Sequence, residues 1–138
     1  MKIGDRASFS KTISESDVYG FAGIVGDFNA LHVNKVKAEK GIFGKRVVHG
    51  MLVGSMISAV LGTMLPGEGT IYLEQNLKFK NPVYYEDTVT ATVTVSEIIN
   101  VEKGVYKLNT FVTNQNGLIV IDGYAVVKFL GGINEEYQ

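Results

Sequence analysis

The stretch MLVGSMISAVLGTML, residues 51–65, decides the fold of this chain. It is apolar on nearly every side of a helix, which is typical of a helix buried in a core. Its 15 residues include glycine, serine and threonine and fall short of the ~20 apolar residues that a membrane span needs. We therefore predict a central buried helix and no membrane span.

The sequence after Pro66-Gly67 has the pattern of strands. Four segments are rich in Val, Ile, Thr, Tyr and Phe, which favour strands; they are residues 70–79, 87–101, 105–113 and 118–129. Asn81-Pro82, Lys103-Gly104 and Asn116-Gly117 are turn signals, and Asn-Gly is the strongest hairpin signal among them. Strands joined this tightly are antiparallel neighbours. We predict an α+β domain in which an antiparallel meander covers the central helix.

The first 26 residues predict a strand followed by a helix. Residues 7–13 alternate weakly and indicate an edge strand, and Ser14 stands three residues before Asp17, as in a helix capping box. Gly20 and Gly23 lower helix propensity by ~1 kcal/mol each, so we expect an element packed closely against them. The helix should end near Gly26, and its apolar face should consist of Val18, Phe21, Ala22 and Val25.

Composition excludes several classes of protein. The chain has 138 residues, a net charge of −1 and no cysteine, which fits one globular domain and excludes thiol catalysis, cysteine-ligated metal sites and disulfides. The near-neutral charge argues against nucleic acid as the main partner. The charged residues at the N-terminus argue against a signal peptide, so we expect a cytoplasmic protein. The domain should span residues 1–131, with a polar tail at 132–138.

Asp27 and His32 are the first candidates for chemistry. On a continuous helix their offset of five residues would turn the side chains ~140° apart. They converge only if the helix breaks between them, and Asn29 is a natural breaker. A turn there would place a carboxylate and an imidazole within reach of one water. The spacing alone leaves a structural alternative for each residue. Asp27 could be a turn residue that bonds the backbone, and His32 could be a hydrogen-bonded histidine of the core.

The second histidine, His49, stands with Gly50 directly before the central helix. Free backbone N–H groups and the helix dipole favour negative charge at that point, and glycine permits close approach of a ligand carbonyl. Asp27, His32 and His49 are possible metal ligands by type, but their spacing matches no zinc motif. We therefore predict no metal.

Five cations crowd the segment between the two histidines. A solvated basic face and a site for an anionic phosphate carrier both fit this pattern, and charge alone does not decide between them. These cations are Lys35, Lys37, Lys40, Lys45 and Arg46.

The histidine segments resemble those of a known family. Residues 26–34 read GDFNALHVN, similar to the motif Gly-Asp-x-Asn-Pro-Leu-His-x-Asp of the MaoC-like R-specific enoyl-CoA hydratases, which have a single hot-dog fold. RVVHGMLVGSMIS at 46–58 resembles that family's entry into the central helix. IYLEQNLKFKNPVYYEDTVTATVTV at 71–95 resembles the strand pair that follows it. The resemblance covers nearly the whole chain in the right order.

The resemblance implies site residues. Asp27 and His32 would be the catalytic pair, the N–H of Gly50 would polarise a thioester carbonyl, and Ser58 would support the pair by hydrogen bonding. His49 would hold the approach to the central helix or contact the substrate.

Asn29, between the catalytic pair, is also implied as a substrate-binding residue. The sequence departs from the family motif at two positions. Ala30 stands where the family has proline, and Asn34 stands where it often has aspartate. Neither change removes a group that transfers protons.

The implied function is reversible hydration of trans-2-enoyl-CoA, with coenzyme A as part of the substrate and no cofactor. A homodimer that continues the sheet between subunits is the expected assembly. An acyl-CoA thioesterase is an alternative, but residues 50–65 contain no Asp or Glu to activate water beside the helix. A dehydratase acting on an acyl carrier protein is another. A non-catalytic acyl-CoA-binding regulator would leave the Asp27/His32 pair unexplained.

Overall fold

The computed structural model describes residues 1–131. The predicted polar tail at 132–138 lies outside these described residues. The elements, in chain order, are β1 (Arg6–Thr12), α1 (Glu15–Val25), α2 (Ala30–Val33), α3 (Lys35–Glu39), α4 (Gly50–Thr63), β2 (Ile71–Phe79), β3 (Thr88–Asn100), β4 (Val105–Thr113) and β5 (Ile119–Lys128).

The strands form one antiparallel sheet in the order β1-β3-β4-β5-β2. Tight turns join β3 to β4 and β4 to β5, and each contains a glycine at positive φ: Gly104 (65°) and Gly117 (77°). A side chain is strained in that conformation, which is why glycine suits these turns. The α+β class, the two hairpins and the edge position of β1 are confirmed.

The prediction that β2 and β3 are neighbours is wrong. β2 pairs with β5, from Ile71 opposite Lys128 to Phe79 opposite Ile121. The reason is that β3 has no free edge, because β1 pairs with one side of it and β4 with the other. Asn81-Pro82 therefore begins a connection that crosses from one side of the sheet to the other, and is not a hairpin.

The helix α4 packs on the inner face of the sheet and forms the core. Its buried side chains include Val53, Ile57 and Val60, which join buried residues of β3, β4 and β5. One side of α4 is uncovered in the single chain, however, because Met51 is 59% exposed and Ser55 and its neighbours on that side face outward. The prediction of burial all round is therefore correct for only part of the helix. Among residues 1–131, the helices are too short or too polar to cross a membrane.

Helix α1 begins and ends as predicted. Both bonds of the capping box form, since the Ser14 hydroxyl accepts from the Asp17 N–H and the Asp17 carboxylate accepts from the Ser14 N–H. The predicted apolar face is only partly correct: Val18 and Ala22 are buried, but Val25 is 54% exposed. The prediction of close packing at the two helix glycines is wrong, because space is open beside both. Only a narrow stripe of this surface helix contacts the core.

Candidate active site

Asp27 lies in the break between helices α1 and α2, and His32 lies in α2. Helix α1 ends at Gly26, whose positive φ of 83° sets a left-handed cap and whose N–H donates to the carbonyl of Ala22 at 2.8 Å. The Asp27 carboxylate then accepts from the Asn29 N–H at 3.2 Å, and the Asn29 side chain caps α2. The segment from 27 to 50 thus contains two short helices, α2 and α3.

The break turns the carboxylate and the ring toward each other. His32 Nε2 lies 3.9 Å from Asp27 Oδ2, and the side chains are 12% and 52% exposed. His32 Nδ1 lies 2.8 Å from the carbonyl oxygen of Val47. Because a carbonyl only accepts, Nδ1 carries the proton and Nε2 is the free acceptor of the neutral ring. The distance between the two acceptors exceeds a hydrogen bond but suits one water bound to both.

His49 contacts both members of this pair. Its side chain is buried, with 2% of the residue exposed, and Nε2 donates to the backbone carbonyl of Asp27 at 2.9 Å. Its ring stacks on that of His32, with centroids 3.9 Å apart and planes inclined by 26°. His49 occupies the N-cap position of α4 but makes no side-chain cap bond. Its side chain therefore anchors the chain segment that leads into the central helix through contacts with Asp27 and His32, which lie outside that helix.

Tyr85 also supports the site, although it was not among the residues predicted from the sequence. Its hydroxyl donates to the carbonyl of His32, and burial raises the pKa of Tyr85, which keeps the hydroxyl protonated as a donor. The guanidinium of Arg46 lies 4.4 Å from the centre of the Tyr85 ring and donates to Glu15 and to the hydroxyl of Tyr19. No local signal marks Tyr85, because it reaches His32 only through the fold.

A cavity of about 480 Å³ opens beside His32. Gly50 lines it at the start of α4, where the first N–H groups have no partner within the helix. A Cβ atom at Gly50 would lie 2.7 Å from the ring of Phe79, so glycine is also needed for space. The walls are otherwise largely apolar and include Leu31, Phe43, Val48, Val53, Val83 and Ile121.

Two predicted site residues lie elsewhere. Ser58 is exposed and lines a second groove, with Ser55 and Tyr72, and does not line the cavity of His32. Met51 lines both, so the groove and the cavity adjoin. The Asn29 side chain is used for the α2 cap.

The predicted basic cluster divides in the structure. Arg46 is held by Glu15 and two tyrosines, and Lys45 lies over the ring of Tyr84 at 4.2 Å. Lys35 and Lys45 border a small surface pocket beside Arg46. Arg46 and Lys45 thus contact other side chains of the same chain and do not only form a solvated basic face.

The geometry favours proton transfer over metal binding. Asp27, His32 and His49 each offer a possible ligand atom within 4.8 Å of the others. The planes of the two histidine rings, however, are stacked, with centroids 3.9 Å apart. A tetrahedral metal site needs lone pairs that converge on one point, which stacked rings do not provide. The free Nε2 of His32 instead faces a carboxylate.

Comparisons with known proteins identify the family of this chain. A family model described as MaoC like domain matches residues 2–116. An (R)-specific enoyl-CoA hydratase from Rhodospirillum rubrum is 52% identical over 92% of this chain and 87% of the relative. A protein from Arabidopsis thaliana named mitochondrial 3-hydroxyacyl-[acyl-carrier-protein] dehydratase is 35% identical over 91% of this chain and 75% of the relative.

One solved structure is also similar to this chain. The (R)-hydratase from Aeromonas caviae involved in PHA biosynthesis superposes with a TM-score of 0.90 and 40% identity, covering 94% of this chain and 97% of that one. The sheet and central helix described above are thus a hot-dog fold. On sequence and structure together, the chain belongs to the family of MaoC-like domains.

Proposed function

We propose that the chain is an R-specific enoyl-CoA hydratase that adds water reversibly to trans-2-enoyl-CoA thioesters. The observation that carries this proposal is the free Nε2 of His32 facing the carboxylate of Asp27 across 3.9 Å, beside a largely apolar cavity. The start of α4 at Gly50 lines the same cavity. A water-binding pair and an N–H donor are the two parts that hydration of an enoyl thioester requires.

The reaction follows from these two parts. A water bound between Asp27 Oδ2 and His32 Nε2 gives a proton to one of them while its oxygen bonds to the β-carbon. The electrons of the double bond move through the α-carbon onto the thioester oxygen, which becomes an enolate. The N–H of Gly50, reinforced by the α4 dipole, stabilises that charge. The pair then returns a proton to the α-carbon, so the elements of one water are added.

This reaction moves only protons and a hydroxyl group, so we propose that it uses no cofactor. Coenzyme A is part of the substrate. The R configuration of the product is proposed from the relatives named (R)-specific hydratases. The cavity accommodates the acyl chain along its apolar walls, which include Val53, Val83 and Ile121.

The two remaining site residues, Asn29 and Ser58, have different proposed roles. Asn29 holds the turn that aims Asp27, as its backbone and side-chain bonds indicate. Ser58 contacts a part of the substrate that continues past Met51 into the adjoining groove. A Ser58→Ala variant should then raise KM more than it lowers kcat.

We also propose a homodimer in the cytoplasm. The edge strand β2 leaves its outer side without a strand partner within residues 1–131, and Ile71 and Leu73 on it are 55% and 52% exposed. An apolar unpaired edge is a site for pairing with a second chain. Light scattering should give twice the mass of the 15.0 kDa chain, and Leu73→Lys should lower it. A monomeric wild-type protein would contradict the dimer.

Product analysis tests the activity. The protein, incubated with crotonyl-CoA, should form (3R)-3-hydroxybutyryl-CoA, and chiral analysis identifies the enantiomer. The S product would contradict the assigned stereochemistry, and no hydration of any trans-2-enoyl thioester would contradict the function. The same acyl group on an acyl carrier protein and on pantetheine, assayed in parallel, identifies the carrier.

A further inference from the structure

We propose that His49 is a positioning residue, whose single buried ring fixes the backbone of Asp27 and the imidazole of His32 at the same time. The inference rests on the proposed hydration and adds a role to its site. It differs from substrate contact, because His49 acts through the two residues that would touch the reacting water.

His49 contacts three parts of the site. Nε2 donates to the carbonyl oxygen of Asp27 at 2.9 Å, and the ring covers one face of His32 at 3.9 Å between centroids. The His49 carbonyl accepts from the N–H groups of Leu52 and Val53 at 3.0 and 3.2 Å. His49 therefore connects the turn of Asp27, the ring of His32 and the start of α4 in one residue.

The ring of His32 is held by two different contacts. Val47 fixes its edge through Nδ1, and His49 fixes its face. Rotation of the His32 ring would break the first contact and disturb the second, so Nε2 stays aimed at Asp27. Catalysis is sensitive to this aim, since a misplacement of about 1 Å can lower a rate by about 10²-fold.

The protonation of His49 supports a role beyond packing. Because the Asp27 carbonyl only accepts, Nε2 of His49 carries a proton, and Nδ1 of the neutral ring is then a buried lone pair. That Nδ1 has no hydrogen-bond partner among residues 1–131. A phenyl ring would fill the same space against Phe21, 5.0 Å away, without burying an unpaired acceptor. What the imidazole adds is the N–H donor to Asp27.

Two substitutions of His49 separate its hydrogen bond to Asp27 from its stacking on His32. His49→Phe keeps an aromatic ring over His32 and removes the donor, whereas His49→Gln places an amide N–H near the position of Nε2 and removes the ring. We expect His49→Phe to lower kcat about tenfold or more with KM for crotonyl-CoA changed less than about twofold, and His49→Gln to recover part of the loss. Val60→Ala is the control, because Val60 is fully buried in α4 about 16 Å from His49 along the helix axis. It should lower stability and leave kcat unchanged.

The kinetic constants of the variants distinguish a positioning role of His49 from substrate contact. A large rise of KM in His49→Phe at unchanged kcat would indicate substrate contact and overturn the positioning role. Wild-type kinetics in both variants would also overturn it. A wild-type protein inactive on all enoyl thioesters would contradict the proposed function instead.

A measurement independent of activity completes the test. The chain has two histidines, so ¹⁵N spectra contain two imidazole rings that single substitutions assign. At a pH at which both rings are neutral, His49 should carry its proton on Nε2 and His32 on Nδ1. A His49 ring protonated on Nδ1, or averaging between its two forms, would show that the bond to Asp27 does not hold and would overturn the inference.

Discussion

The carboxylate of Asp27 and the imidazole of His32 face each other across 3.9 Å, although helix α1 ends just before Asp27 and helix α2 begins between the two residues. The break is what makes the pair possible, since a continuous helix would turn the two side chains apart. Gly26 ends the first helix and Asn29 starts the second. The site is therefore built by local backbone signals and held from outside by His49 and Tyr85.

The first prediction concerns the pair itself. Asp27→Asn and His32→Ala should each lower kcat at least ~10²-fold, because each removes a proton-transfer group. Asp27→Asn retains an oxygen that can accept from the Asn29 N–H, so the turn should persist. Steady-state kinetics with crotonyl-CoA, together with circular dichroism, measure both effects.

A matched control for these variants is Asp122→Asn, an exposed carboxylate on β5 away from the cavity. It should have wild-type kinetics. Wild-type turnover in Asp27→Asn or in His32→Ala would remove that residue from the mechanism.

The second prediction concerns the space at Gly50. In Gly50→Ala the new methyl group would lie 2.7 Å from the ring of Phe79, which is 54% exposed and able to move. Since Phe79 lines the cavity, its displacement should lower kcat/KM about tenfold or more. Kinetics of the single variant measure this loss.

The double variant Gly50→Ala/Phe79→Ala isolates the cause. Removing the ring relieves the overlap, so the double variant should be more active than Gly50→Ala, with Phe79→Ala as its reference. If the double variant is no better than Gly50→Ala, the steric explanation is incorrect.

The third prediction concerns the hydroxyl of Tyr85. Tyr85→Phe removes the donor to the His32 carbonyl and should lower the free energy of unfolding by about 1 kcal/mol, with a parallel loss of kcat. Tyr84→Phe is the neighbouring control, since the Tyr84 hydroxyl makes no hydrogen bond within residues 1–131 and its ring contacts Lys45. Urea denaturation measures the stability of both. Equal stability in the two variants would contradict the role of Tyr85.

The fourth prediction is a pH dependence at the start of α1. The backbone N–H of Ser14, aided by Lys11, lowers the pKa of Asp17 below its ordinary value of 3.8. A carboxylate whose folded pKa is depressed stabilises the fold above its unfolded pKa, and the stabilisation is lost as pH falls through the folded pKa.

Asp17→Ala should therefore lower the free energy of unfolding at pH 7 by about 1 kcal/mol, a typical value for a helix cap. The difference from wild type should shrink as pH falls below 3.8. Urea titrations at several pH values measure it. A difference that stays constant down to pH 3 would show that the charge of Asp17 contributes nothing.

The elements that the sequence predicted well are those with local signals. The capping box of Ser14 and Asp17, the stop at Gly26, the hairpin at Asn116-Gly117 and the apolar central helix all depend on neighbours in the chain. The break that brings Asp27 to His32 was predictable for the same reason.

The features that the sequence did not predict depend on contacts between distant segments. β2 lies beside β5 because both edges of β3 are already occupied. The stack of His49 on His32 and the bond from Tyr85 join residues that only the fold brings together. The two glycines of α1 suggested a packed partner by propensity alone, whereas the structure leaves them open.

The most direct test of the account follows double-bond loss and free thiol release in the same reaction with crotonyl-CoA, for the wild type and for Asp27→Asn. We expect the wild type to consume the conjugated double bond without releasing thiol, and Asp27→Asn to lose this activity at least ~10²-fold. Thiol release by the wild type at the rate of substrate consumption would contradict the account and identify a thioesterase.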